Sequence, residues 1–222
     1  MSRRDQVAVN LAGIRGRIER AGGDLERIAI VAVTKGQPVE ACRAAVAVGL
    51  TVLGENRVQE ALGKMDLVPG AAWHLVGHLQ RNKVRHAHRF ALIQSVDSPH
   101  LAEALAARGP VAALLEVNVA REAQKHGVEP ERAVDTAARV AELVDLRGMM
   151  AMGPTGRDPR PAFAELRRLR DEAEQRLGRS LPVLSMGMSE DLEAAVSEGS
   201  TMVRVGRGLF GPRGTPPGAV VS

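Results

Sequence analysis

IAIVAVTKGQPVEACRAAVAVG, residues 28–49, is the stretch whose reading decides the fold. Its opening run, IAIVAVT (28–34), is apolar or small at nearly every position, the pattern of a strand buried on both faces of a parallel sheet. Pro38 then suits the first turn of a helix whose inner stripe is Val39, Cys42 and Val46, and Gly49 closes it. A strand followed by a helix is the repeating unit of an α/β protein.

The unit recurs outward from there. Upstream, Val7, Leu11, Ile14 and Ile18 return at helical spacing and predict a leading helix over the first twenty residues. Downstream, strand-like runs read TVLG (51–54), AWHLVG (72–77), ALIQSV (91–96), VAALLEVNV (111–119), DLRGMMAM (145–152), PVLSMG (182–187) and TMVRVG (201–206). Helices are predicted near 55–65, 80–88, 98–108, 130–143, 159–177 and 189–198. Strict alternation of strands and helices implies a parallel sheet. Eight units in a chain of 222 residues, with no Gly-x-Gly-x-x-Gly after the first strand, favour a closed (β/α)8 TIM barrel over an open doubly wound sheet. The expected α/β domain, with its extra N-terminal helix, spans 1–211. The Pro- and Gly-rich PRGTPPGAVVS (212–222) reads as a flexible tail.

Composition narrows the function. Hydrophobic residues make up 45% and charged residues 25%, an ordinary balance for a soluble globular protein. No run is long and apolar enough for a membrane span, the N-terminus lacks a signal-peptide core, and Cys42 has no internal partner for a disulfide. These features predict a cytoplasmic protein. The net charge of +4 comes from 30 basic and 26 acidic residues interspersed along helices, and aromatics are only 2%, which argues against nucleic-acid binding. The six histidines show no metal-ligand spacing, so no metal site is expected.

In such barrels the chemistry sits on the loops after the strands. Lys35 follows the first strand directly, where a lysine shielded from water would have a lowered pKa and a nucleophilic amine; an ordinary solvated lysine is the alternative. After strand 7, Gly187 permits close backbone approach and Ser189 suits a helix N-cap. After strand 8, Gly206-Arg207-Gly208 offers clustered backbone N–H groups. Loops 7 and 8 are where these barrels commonly bind phosphate, although the glycines also suit plain tight turns. Arg204 is the lone charge in its strand and should face a ligand acceptor or a carboxylate; a salt bridge inside the barrel competes. For a pyridine ligand, an arginine on the ring nitrogen would weaken the ring as an electron sink.

AVTKGQP (32–38), GENRVQE (54–60), WHLVGHLQRNK (73–83) and LSMGMSEDLEAAVSEGSTMVRVGRGLFG (184–211) together resemble the pyridoxal phosphate homeostasis protein family, a one-domain relative of the N-terminal barrel of alanine racemase. The likeness runs from about residue 5 to 213. It implies a pyridoxal 5′-phosphate cofactor bound as a Schiff base on Lys35, with Asn56 beside it. Ser189, Gly206 and the backbone of Arg207 would hold the phosphate, and Arg204 would meet the pyridine nitrogen. Ser185 and Met186 would line the ring pocket, with His74 at its floor. The family often has Thr or Ser where this chain has Arg207, so a hydroxyl contact is in doubt; the guanidinium either supplies charge there or points to solvent.

The same resemblance implies a carrier that buffers or delivers the cofactor, with no catalytic activity expected. Alanine racemase needs a second acid/base, a Tyr from its β-domain, and this chain has no Tyr. The rival reading is a pyridoxal phosphate-dependent amino-acid racemase of unknown substrate, with His74, His78 or Cys42 on the opposite face. GHLQRNKVRHAHR (77–89) is locally basic and reads as solvated surface, or as a contact for an acidic apo-enzyme receiving the cofactor. A monomer is expected.

Overall fold

The computed structural model describes residues 2–211, so the expected tail at 212–222 lies outside the described residues. Eight parallel strands close in chain order into one barrel: β1 (Ala29–Val33), β2 (Val52–Glu55), β3 (Ala72–Leu75), β4 (Leu92–Val96), β5 (Ala112–Glu116), β6 (Asp145–Met150), β7 (Val183–Ser185) and β8 (Met202–Val205). The seam joins β1 to β8, with Ala32 opposite Val205.

The helices are α1 (Arg3–Arg20), α2 (Val39–Ala47), α3 (Val58–Met65), α4 (Pro99–Ala106), α5 (Pro130–Ala141), α6 (Arg160–Leu177), α7 (Leu192–Ser197) and α8 (Arg207–Phe210). Local chemistry places their ends. Ser2 and Asp5 exchange hydrogen bonds of 3.1 Å to start α1. Ser98 Oγ accepts from Leu101 N–H to start α4 at Pro99.

One expected helix is not α. Arg81–Arg89 forms a 3₁₀ helix between β3 and β4. Its buried residues are Val84 and Ala87, three apart, which is the 3₁₀ repeat; a nine-residue segment with one small apolar stripe has little to hold a wider turn. Arg81, Arg85 and Arg89 lie exposed on it.

Two apolar cores flank the barrel wall. Inside, Val31, Leu92, Leu114, Met150 and Met202 fill the lumen. Outside, Ala32, Leu53, Leu75, Ile93 and Val203 pack beneath the helices. Each strand therefore buries both faces, as its sequence demands. The α8 helix is a single turn, and α1 covers the seam beside it. Val7, Leu11, Ile14 and Ile18 face inward, Asn10 Nδ2 donates to Leu209 O at 2.8 Å, and Arg17 donates to Ser189 O at 2.9 Å.

Candidate functional site

The strands order the site before any side chain is considered. Lys35 and Asn56 follow β1 and β2, and His74 lies on β3. Ser185 ends β7 with Met186 and Ser189 after it, Arg204 lies on β8, and Gly206 and Arg207 follow it. These nine residues thus come from five consecutive strands around the seam, β7-β8-β1-β2-β3.

One step above the apolar lumen layer, a polar chain crosses the barrel. Gln94 Nε2 donates to His74 Nδ1 at 3.0 Å. Ser185 Oγ donates to Gln94 Oε1 at 2.7 Å. Arg204 Nη1 donates to Ser185 Oγ at 2.6 Å and to Ser185 O at 2.8 Å, and its Nη2 donates to Ala151 O at 2.8 Å. Because the Gln94 amide donates, Nδ1 of His74 is the accepting nitrogen and the ring proton belongs on Nε2. Burial pushes the His74 pKa down to about 4, so the ring is neutral at pH 7. Burial also lowers Arg204 to about 10, against the pull of Glu116 and Asp191, which leaves it charged at pH 7. Its bonds run to carbonyls and a hydroxyl, and among the described residues no carboxylate lies within ion-pair distance of it. The salt bridge expected as an alternative is therefore absent among them.

Glu116, at the end of β5, completes this layer and was missed in the sequence. It is 3% exposed. Burial raises its pKa to about 7, Asp97 adds to the rise and Arg204 opposes it. The available signal was a single carboxylate in VAALLEVNV, two residues after the lumen residue Leu114.

The mouth departs from expectation at three places. Lys35 is exposed, not shielded: Gln37 N–H donates to Thr34 O at 2.9 Å, and this turn lifts Lys35 off the strand end. Ser189 is not the cap of α7, which begins at Leu192. Its Oγ instead accepts the Gly208 N–H at 3.1 Å and ties the loops after β7 and β8 together. Met186 is fully buried in the apolar layer between barrel and helices, on the opposite side of the wall from its neighbour Ser185. The Arg207 side chain points to solvent and pairs with Glu190. Asn56 is half-buried. Gly187 holds φ +95°, and a Cβ there would meet Ala195 Cβ at 2.5 Å, so a side chain would push this loop off α7.

His78, Asp97 and His126, from the loops after β3, β4 and β5, bring ligand-type atoms within 4.8 Å of one another. His78 stacks on His126 with centroids 4.5 Å apart. The sequence spacing gave no hint of this triad, because three separate loops supply it.

Residues 5–214 match the family model described as alanine racemase, N-terminal domain. A pyridoxal phosphate homeostasis protein of Pseudomonas aeruginosa is 41% identical over 224 residues, covering 93% of this chain and 96% of that protein. The chain belongs to the pyridoxal phosphate homeostasis protein family. Another such homeostasis protein, from Aquifex aeolicus, is 39% identical over 216 residues, covering 91% of this chain and 95% of its own. PipY of Synechococcus elongatus, solved with PLP bound, superimposes with a TM-score of 0.81 at 34% identity, over 92% of this chain and all of that one.

Proposed function

We propose that this homeostasis-family chain binds pyridoxal 5′-phosphate covalently on Lys35 and buffers or hands on the cofactor without turning over a substrate. The observation that carries the reading is the convergence of an amine, a hydroxyl-bearing loop, a glycine loop and a buried guanidinium on adjacent strands at one barrel mouth. PLP bound to PipY supports it.

The residues fit the group. Ser189 Oγ and the backbone of Gly206, Arg207 and Gly208 form a small cradle suited to a phosphate; a Cβ on Gly208 would lie 3.1 Å from Ser189 Oγ and crowd it. Three of the five Arg204 N–H groups bond to Ser185 and Ala151, which fixes the guanidinium plane and leaves capacity for a ring nitrogen. Asn56 stands beside Lys35, and His74 forms the floor through Gln94. Ser185 links that floor to Arg204, and Met186 contributes by seating its loop. The cofactor supplies an aldehyde, which condenses with the Lys35 amine as one water leaves. Exposure of Lys35 gives an incoming aldehyde, or a competing amine, direct access.

A carrier suits these groups better than a racemase. The chain has no Tyr. Cys42 is buried among the helices outside the barrel, with its thiol pushed up by burial. His74 is neutral and engaged by Gln94. His78 lies on the rim, 3.3 Å from Asp97. Among the described residues, the exposed large apolar side chains of Val9, Leu67 and Met188 are scattered over separate elements, which supports a monomer. No helix among the described residues is long and apolar enough to cross a membrane, in keeping with work in the cytoplasm and delivery to apo-enzymes.

Borohydride reduction of the cofactor-loaded protein, followed by intact mass and peptide mapping, tests the reading. The adduct is expected on Lys35 and absent in Lys35→Ala; an adduct that survives this substitution overturns the assignment. Sustained exchange of amino-acid α-hydrogens into deuterated water at enzyme-like rates would favour the racemase instead.

A further inference from the structure

On the outer side of β1 and β2, beneath α2 and α3, lies a buried charged cluster that the site above does not use. Lys64 Nζ, on α3, donates to Glu55 Oε1 at 2.6 Å, to Glu60 Oε1 at 2.8 Å and to Thr34 O at 2.8 Å. The same Glu60 Oε1 accepts the Gly36 N–H at 2.6 Å. Thr34 Oγ1 donates to Glu55 Oε1 at 2.6 Å, and Glu55 Oε2 is buried with no hydrogen-bond partner.

The placement of two of these bonds is specific. Thr34 O belongs to the peptide group before Lys35, and Gly36 N to the peptide group after it. One ion pair on a single turn of α3 therefore holds both peptide groups that flank the Lys35 Cα. A buried ammonium with two carboxylates is a poor way to gain stability, because desolvation offsets most of the attraction. Such a cluster is a good way to fix geometry, since its directional bonds tolerate little displacement. Lys35 itself sits in an exposed turn, where sterics alone leave the backbone free to move.

We propose that Glu60 and Lys64 are positioning residues for Lys35, which clamp its backbone so that the amine departs from a fixed point at the barrel mouth. This rests on the reading that Lys35 is the lysine that takes the aldehyde. Glu55 anchors the clamp to β2, next to Asn56, so that one segment, GENRVQE (54–60), serves the site from both sides of the wall.

The test uses the full chain with Glu60→Leu, Glu60→Gln and Lys64→Met/Glu55→Gln. The double variant removes Lys64 together with its fully buried partner Glu55, so the charge that stays is that of Glu60, which reaches solvent. Folding is checked by circular dichroism and melting. In the cofactor-free protein, hydrogen exchange at the Gly36 amide is expected to speed up about tenfold in Glu60→Leu, and by less in the double variant, which keeps the Glu60 acceptor but loses the Lys64 bonds to Glu60 and Thr34 O. The dissociation constant for added pyridoxal phosphate is expected to rise about tenfold as well, a loss typical of small misplacements of a reacting group. Glu60→Gln keeps an acceptor for Gly36 and should stay within about twofold on both measures. Folded Glu60→Leu with wild-type Gly36 exchange and wild-type affinity overturns the clamp, as does equal loss in Glu60→Gln. A borohydride-trapped adduct on a lysine other than Lys35 in the wild-type protein overturns the reading beneath it, and leaves the Gly36 exchange result intact.

Discussion

Two layers of side chains cross the inside of this barrel, two residues apart along the same strands, and they differ in kind. The lower holds Val31, Leu92, Leu114, Met150 and Met202. The upper holds His74, Gln94, Glu116, Ser185 and Arg204. On β4, β5 and β8 the succession is direct: Leu92 then Gln94, Leu114 then Glu116, Met202 then Arg204. Dispersion and burial account for the lower layer, whereas hydrogen-bond direction and proton affinity govern the upper. A single step along a strand thus separates what holds the barrel closed from what shapes its mouth.

The largest effect should come from the lower layer. Leu114→Ala leaves a cavity in the closed lumen and should cost about 2–5 kcal/mol in urea unfolding, with cofactor affinity within about threefold of wild type where the protein is folded, since 1.4 kcal/mol corresponds to a factor of ten. A comparable loss of affinity would erase the division between the layers.

Glu116→Gln addresses the upper layer through pH. The folded value of about 7 lies above the ordinary 4.5, so the fold favours the protonated carboxyl. Its contribution to stability is full below pH 4.5 and is lost as the pH rises through about 7. The wild-type melting temperature should therefore fall relative to Glu116→Gln across that interval, by a few degrees; parallel curves would remove Glu116 from the layer as a titrating group.

Arg207→Ala should do least. Its side chain meets only exposed Glu190 among the described residues, and exposed ion pairs contribute little. Melting temperature and cofactor affinity should both match wild type within error, because the phosphate contact assigned to Arg207 uses its backbone. A large loss of affinity would place the guanidinium at the phosphate.

Most of the barrel was legible because each strand is buried on both faces and its residues say so, as in IAIVAVT and VAALLEVNV. What failed depended on partners distant in sequence. Ser189 looks like a cap until Gly208 from another loop claims its oxygen. Glu60 and Lys64 lie four apart within the predicted helix near 55–65, a spacing that by itself says nothing of the turn at Thr34–Gly36 that they grip. Lys35 was expected to be shielded, because the strand pattern does not show where the following turn carries it. Glu116 is the single carboxylate in a run, VAALLEVNV, whose apolar residues spell a buried strand and do not show which side of the wall the carboxylate faces.

The seam also bears on how the protein is made. Arg17 reaches Ser189 across 172 residues, and the first strand pairs with the last. A nascent chain on the ribosome therefore carries Lys35 long before the loops that would grip a phosphate have been translated. Closure must await β8, and long-range pairing of this kind is slow to form. Joint capture by the lysine and the phosphate loops would thus have to wait until β8 has been made and has paired with β1.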